Sequence, residues 1–435
     1  MFTARVLVTS TITTFLSSAS MSVWAIENPE LGTLKEELKS LQQLQTDLNT
    51  RISAIESQLS GYTSAPEENA VIPPSLTPPS KQTVPVVQEV STSTSHLTIG
   101  GDFRVRYEGN FSNDTVRNRS RGALRARLRA GYQINDTFAV GGQLSTGDPD
   151  DPNSADVTLS SFDDDLAVSL DQAYLQAKFA NTELYLGKMP LPFRATDRLW
   201  DGDVSPQGVS ANYEVFLSDA SRLAAHSLLF LIDEASIGDD SAMIGGQLEF
   251  KHQLTPLIQT DFAVGYYNYQ LHNTEGADLG DFRTNLILGN AYLSDFEILS
   301  LIASVRWNEW AHWPIEIRGD YSHNFGAARF ANAHTDDAFG IDVMAGNLAV
   351  KGDARFSYGY AQSDVDSTLA AFAQDNIDFG TNYVFHSIGF DYALSSHLIF
   401  NSSLYRYHLK DTQFAPAGET GAWRNRLRLN LMATF

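Results

Sequence analysis

From His96 onward the chain alternates. FRVRY, ALRARLRAGY, FAVGGQLS, LDQAYLQAKF, IEIRGDY and HSIGFDYAL each place apolar or aromatic residues at one parity, and charged, polar or Gly residues at the other. A period of two marks strands with two unlike faces. It predicts strands over 97–107, 121–133, 137–146, 167–179, 183–188, 208–217, 221–232, 241–252, 257–270, 294–307, 313–323, 337–344, 348–361, 381–393, 397–408 and 422–435. Their connectors alternate between short and long, provided that RTNLILGN (283–290) belongs to a long loop. Counted as a strand, it gives seventeen strands and long loops on both sides. Sixteen antiparallel strands, with eighteen as the alternative, short turns on one side and long loops on the other, describe an all-β outer-membrane barrel. Both chain ends then fall on the periplasmic side. A large soluble sandwich or propeller shares the alternation, but many of these strands run 10–14 residues, against about 5–6 in globular proteins.

The residues before His96 follow other rules. Residues 1–25, with Arg5 ahead of a mildly apolar run and Val23-Trp24-Ala25 behind it, read as a secretory signal. In 26–61 the period is 3.5. Leu31, Leu34, Leu38, Leu41, Leu48, Ile52, Ile55 and Leu59 keep to the a and d positions of one heptad frame, and Gln45 is the single polar break. Four such heptads predict a periplasmic coiled coil that associates with its own copies, with Gln45 setting register. A single amphipathic helix is the plainer alternative, but its apolar face is normally wider. Residues 62–95, with VIPPSLTPPS and TVPVVQEV, read as an extended spacer. The barrel domain is 96–435.

Composition narrows the function. A formal net charge of -22 argues against nucleic acid as a partner. Cysteine is absent, which excludes a disulfide scaffold and thiolate metal sites. No segment reaches the ~18 consecutive apolar residues of a membrane-spanning helix; the longest apolar stretch, 223–232, is interrupted by His226. No G-x-S-x-G, H-E-x-x-H or P-loop pattern occurs. No enzyme, metal site or cofactor is expected. Asp148, Asp150, Asp151 and Asp156 have the chemistry to collect a hard cation, but a solvated acidic loop tip is the simpler reading.

In a membrane barrel the apolar parity faces lipid and the polar parity faces the lumen. That rule turns Asp102, Arg104, Arg106 and Glu108 of the first strand inward. Arg125, Arg127 and Arg129 of the second strand and Arg424, Arg426 and Arg428 of the last join them. Closure makes these three strands neighbours. Eight of the chain's 30 basic residues then form one inner wall. Any one of them is an ordinary wetted residue; eight together repel unless acids offset them.

The segment DQAYLQAKFANTELYLGKMPLPFRATDRLWDGDVSPQG, with LTIGGDFRVRYEG, GNLAVKGDARFSYGYAQSD and the terminal Phe435, resembles the outer-membrane "putative porin" family of Gram-negative bacteria. The resemblance covers roughly 96–435 and is most specific over 171–208. It implies a passive channel, a homotrimer in outer-membrane lipid, and Phe435 as the signal read by the barrel assembly machinery. It also implies that the third long loop, with Asp197, Arg198, Asp201 and Asp203, folds into the lumen as a constriction. Acids facing arginines across a water-filled gap would create a transverse field. The expected function is passive diffusion of small hydrophilic solutes or ions, biased toward anions or small zwitterions. A channel selective for phosphate, sugar or peptide is the alternative. A tether, with 26–95 contacting the cell wall or a periplasmic partner, is a third reading, distinguished by deleting 31–59.

Overall fold

In the computed structural model, sixteen long strands form one antiparallel sheet that closes on itself, and the two-residue strand Val157–Thr158 adds to it by pairing with Ala123 and Leu124. The structure describes residues 96–435 apart from 113–117, 161–164, 236–237, 273, 275–276, 278, 309–312 and 416–418, together with Lys39 and Gln43, both helical. The signal, the heptad seam (Leu34, Leu38, Leu41, Gln45, Leu48, Ile52, Ile55) and the spacer lie outside the described residues.

The strands are Leu97–Ser112 (β1), Arg119–Gln133 (β2), Phe138–Thr146 (β3), Val168–Phe179 (β4), Thr182–Lys188 (β5), Gln207–Ser218 (β6), Ser221–Asp233 (β7) and Ser241–Thr255 (β8). Ile258–Gln270 (β9), Phe296–Trp307 (β10), Ile315–Asn324 (β11), Asp337–Gly346 (β12), Ala354–Ser363 (β13), Tyr383–Ser395 (β14), Leu398–Leu409 (β15) and Arg424–Thr434 (β16) complete them. Each pairs with its sequence neighbours, and β1 pairs with β16 from Asp102↔Thr434 to Ser112↔Arg424. Closure satisfies the backbone donors and acceptors of both end strands, which lipid would leave unpaired.

Sixteen strands settle the choice against eighteen. Residues 283–290 lie in the β9–β10 loop, where Ile287–Leu288 pairs only with Ala291–Tyr292. The expected strand at 348–361 starts later, at Ala354, because 347–353 form a turn. Short turns carry their own hydrogen bonds: Asn135 Oδ1 accepts from the backbone N–H groups of Thr137 and Phe138, both at 2.9 Å. An Asn side chain that mimics a backbone turn in this way is a common hairpin device.

The alternation sorts the faces as the pleat requires. On β1, Phe103, Val105 and Tyr107 are exposed on the outside, whereas Asp102, Arg104, Arg106 and Glu108 are buried inside. On β7 to β10 the pattern changes, because both faces carry apolar residues. Leu229 and Leu231 face out; Leu228 and Phe230 face in, with Met243, Tyr267, Tyr269, Phe296 and Ile298 beside them. These inward residues pack against loops, so the barrel holds a hydrophobic core within its lumen.

The seam depends on a close approach. Gly101 N–H donates to the Phe435 carbonyl at 2.9 Å, and Phe435 N–H to the Gly101 carbonyl at 3.1 Å. A Cβ at Gly101 would lie 2.6 Å from Phe435 Cζ and would overlap the Arg127 carbonyl oxygen. Gly101→Val is expected to cost the folded barrel about 1–3 kcal/mol by overpacking. Gly131→Ala, whose added carbon meets only the Val140 carbonyl at 4.0 Å, should be tolerated. Urea unfolding followed by the heat-modifiable gel mobility of the barrel measures both.

Candidate functional site

The arginine wall is a lattice of ion pairs. β1 lies between β2 and β16, and its two inward acids reach both ways. Asp102 accepts from Arg125 and Arg127 of β2, at 3.0 and 2.8 Å, and from Arg129 at 2.9 Å. Glu108 accepts from Arg121 at 2.9 Å and from Arg428 of β16 at 2.7 Å. The register sets Arg104 opposite Arg125, a repulsive placement by itself. Acids from loops offset it. Asp156, in the β3–β4 loop, takes Arg104 at 2.7 Å and is also bound by Arg106. Asp203, in the β5–β6 loop, takes Arg127 at 2.6 Å and lies 3.4 Å from Arg125. Asp156 is thereby separated in role from Asp148, Asp150 and Asp151: it answers arginines rather than completing a cation site.

The β5–β6 loop, 189–206, enters the lumen and is pinned on the far side. Arg198 donates to Asp320 of β11 and, at 2.8 Å, to Asp342 of β12. Gly340 is needed there, because a Cβ on it would overlap the Arg198 guanidinium. Of the three loop acids, only Asp203 meets the arginine wall. Asp201 is buried, its Oδ1 accepting from the Asp203 backbone N–H at 2.9 Å. Asp197 accepts from Asn376 at 3.2 Å. Trp200 anchors the loop: its ring stacks on Phe372 at 5.7 Å and 14°, and Tyr267 meets it edge-on at 5.7 Å.

Phe372 and Asn376 belong to a second inward element that the alternation did not reveal. The β13–β14 loop, 364–382, is almost wholly buried. Asp201 N–H donates to the Phe372 carbonyl at 2.8 Å, which joins the two loops. Asn285 and Arg283 of the β9–β10 loop hold it by donating to the carbonyls of Val365, Thr368 and Ala370. Asn153 of the β3–β4 loop donates to Ala373. Its far end reaches the wall: Arg428 donates to the Asp375 carbonyl at 3.0 Å, Arg426 to the Asn376 carbonyl at 3.1 Å, and Arg424 and Arg426 pair with Asp378. A signal was present in the sequence. Val365, Leu369, Phe372, Ile377 and Phe379 give this loop an apolar content that a solvated outer loop does not need.

Burial and neighbouring charge set the ionisation of the loop acids. Burial, with help from the Asp342 and Asp375 carboxylates, raises Asp197 to about 6 against the opposing pull of Arg198 and Asn376. Burial raises Asp201 as well, further pushed by Asp197, Asp375 and Asp203. Asp375 goes the other way. Burial would raise it, but Arg428, Arg106 and Arg104 outweigh that and hold it at about 2. Among the described residues, the three groups that approach as metal ligands would are His323, Asp336 and Asp337. His323 Nδ1 is already 2.8 Å from Asp337, and these residues lie away from the wall.

Comparison with curated proteins finds no match. Among solved structures, the high-pH structure of OprB from Pseudomonas putida is 11% identical, covers 78% of this chain and 94% of its own, and superposes with a TM-score of 0.52. OmpF of Salmonella typhi in complex with daunomycin (11% identity, 78% and 97% covered, TM-score 0.47) and an anion-selective porin from Comamonas acidovorans (14%, 78% and 99%, TM-score 0.45) are also similar. At these identities the OprB likeness speaks for the fold alone. The family resemblance read from the strands is borne out in sequence: residues 111–285 match the family described as "Putative porin", on a closed barrel of sixteen strands.

Proposed function

We propose that the chain is an outer-membrane porin of a Gram-negative bacterium, a passive channel for small hydrophilic solutes and ions. The observation that carries this reading is the division of faces: an apolar exterior around a lumen lined by guanidinium and carboxylate groups and narrowed by loops 189–206 and 364–382. A polar interior within a closed barrel offers solutes hydrogen bonds in place of lost hydration. Homotrimeric assembly is part of the reading; the heptad pattern ahead of the barrel fits self-association and admits a dimer as well as a trimer. Phe435, beside β1 at the seam, is proposed as the assembly signal.

Selectivity follows from the pairing. A wall of bare arginines would favour anions strongly. Here Asp102, Glu108, Asp156, Asp203, Asp375 and Asp378 answer them. The anion bias is therefore modest at neutral pH, with a transverse field in the gap suited to zwitterions. It grows when loop acids are neutralised.

Two measurements test this. Replacing Arg125, Arg127 and Arg426 by Ala takes two of its three arginine partners from Asp102, removes Arg125 and Arg127 from Asp203, and leaves Asp378 with Arg424. The anion/cation permeability ratio, read from the reversal potential under a salt gradient, should then fall by about tenfold, the equivalent of ~1.4 kcal/mol. An unchanged ratio would remove the wall from selectivity. The second is pH. With Asp197 at about 6, the carboxylate present at pH 7.5 becomes a neutral acid by pH 5. Asp375, held at about 2, stays ionised throughout. The constriction gains positive charge as pH falls, so the anion/cation ratio should rise. Asp197→Asn should raise the ratio at pH 7.5 and flatten the change between the two pH values.

A further inference from the structure

Within the wall, one carboxylate sits as a bound solute would. Asp378 Oδ2 accepts from the Tyr407 hydroxyl at 2.7 Å and lies 3.4 Å from Arg424, while Oδ1 is held by Arg426. Two guanidinium groups and a phenol thus converge on one carboxylate. The three donors come from the wall, Tyr407 on β15 and the arginines on β16; the acceptor comes from a loop. The Arg424 guanidinium lies over the Phe379 ring, 5.0 Å from its centroid, and Phe379 meets Tyr407 edge-on at 5.8 Å. The donors are therefore fixed by packing. Their accessibility differs sharply from that of the acceptor. The side chains of Arg424 and Arg426 are 4% and 6% exposed, and that of Asp378 is 35% exposed. The loop carboxylate lies between buried donors and the water-filled lumen.

We propose that Tyr407, Arg424 and Arg426 form a binding station for the carboxylate of a transiting solute, occupied in this structure by Asp378 as an internal substitute. The proposal rests on the channel reading and adds a solute class, small organic acids. Charge-assisted pairs of this kind are strong and directional. An internal carboxylate held nearby on a loop competes at high effective concentration. It keeps the station weak, so that a solute exchanges rather than lodges. Conduction needs such a balance: favourable enough to enter, weak enough to leave. Glu419 also binds Arg424, and Asp375 lies 3.6 Å from Arg428; both acids flank the station.

The test uses the full chain and sodium acetate. Acetate affinity is measured by isothermal titration of the detergent-solubilised barrel, and acetate block of chloride current in a planar bilayer. Asp378→Ala vacates the station, and acetate should bind and block about tenfold more tightly. Asp378→Asn, which keeps the size of the side chain and the loop packing, should act in the same direction. Adding Arg426→Gln to Asp378→Ala should abolish the gain. Equal acetate affinity in the native chain and both Asp378 variants overturns the station, as does a gain that survives Arg426→Gln. Titration needs no current, so the two readings fail separately. A barrel that passes no current but binds acetate more tightly after Asp378→Ala supports the station and removes the channel.

Discussion

The constraint on which the interior depends is the neutralisation of inward arginines. Closing a sheet of this pleat places Arg104, Arg106, Arg125, Arg127, Arg129, Arg424, Arg426 and Arg428 on three adjacent strands. Like charges a strand apart repel, and their burial removes the water that would screen them. The chain answers in two layers. On the middle strand, Asp102 gathers three arginines of β2 and Glu108 bridges arginines of β2 and β16. Asp156, Asp203, Asp375 and Asp378 arrive from three loops. Removing one partner of such a buried pair typically costs about 3–5 kcal/mol, so the loop positions are tied to the charge balance of the wall.

The loops have a second hold besides their ion pairs. The apolar core supplies it. Trp200 and Phe372 stack on each other and on Tyr269, with Tyr267 edge-on to Trp200 and Phe230 tilted against both. Burying each such ring is worth roughly 1.5–3 kcal/mol. One side of the lumen, along β7 to β10, therefore anchors the loops by packing; the other, along β16, β1 and β2, holds them by charge. Loops 189–206 and 364–382 are thus held between a dry anchor and a charged wall.

Much of this was legible in the alternation. A period of two, sustained over long strands with connectors of alternating length, was enough for a closed barrel and the inward parity of the arginines. It left sixteen and eighteen strands open, and the structure settles on sixteen. The destination of each acid was not legible. Asp156, which looked like part of an acidic loop tip with Asp148 and Asp150, is drawn to Arg104. Asp197 and Asp201 stand in the expected loop, yet only Asp203 reaches the wall. Loop conformation depends on contacts far apart in sequence, such as Asn285 with Val365 or Asn153 with Ala373, and no local period encodes them. The apolar stretch 223–232, like the apolar residues of loop 364–382, does carry a signal of the interior. Apolar residues at both parities need two dry environments. In a membrane barrel the second can only be a core inside the lumen.

The inner core also explains why the wall tolerates so many charges without a rigid plug. A loop held only by ion pairs would move with salt and pH, since exposed pairs weaken over a Debye length of about 8–10 Å at moderate ionic strength. A loop held only by packing would leave arginines unanswered. Loop 364–382 combines both, with Leu369 and Phe372 in the core and Asp375 and Asp378 at the wall. The residues that hold this loop by packing are thus not the residues that answer the wall, so the two holds can be altered separately.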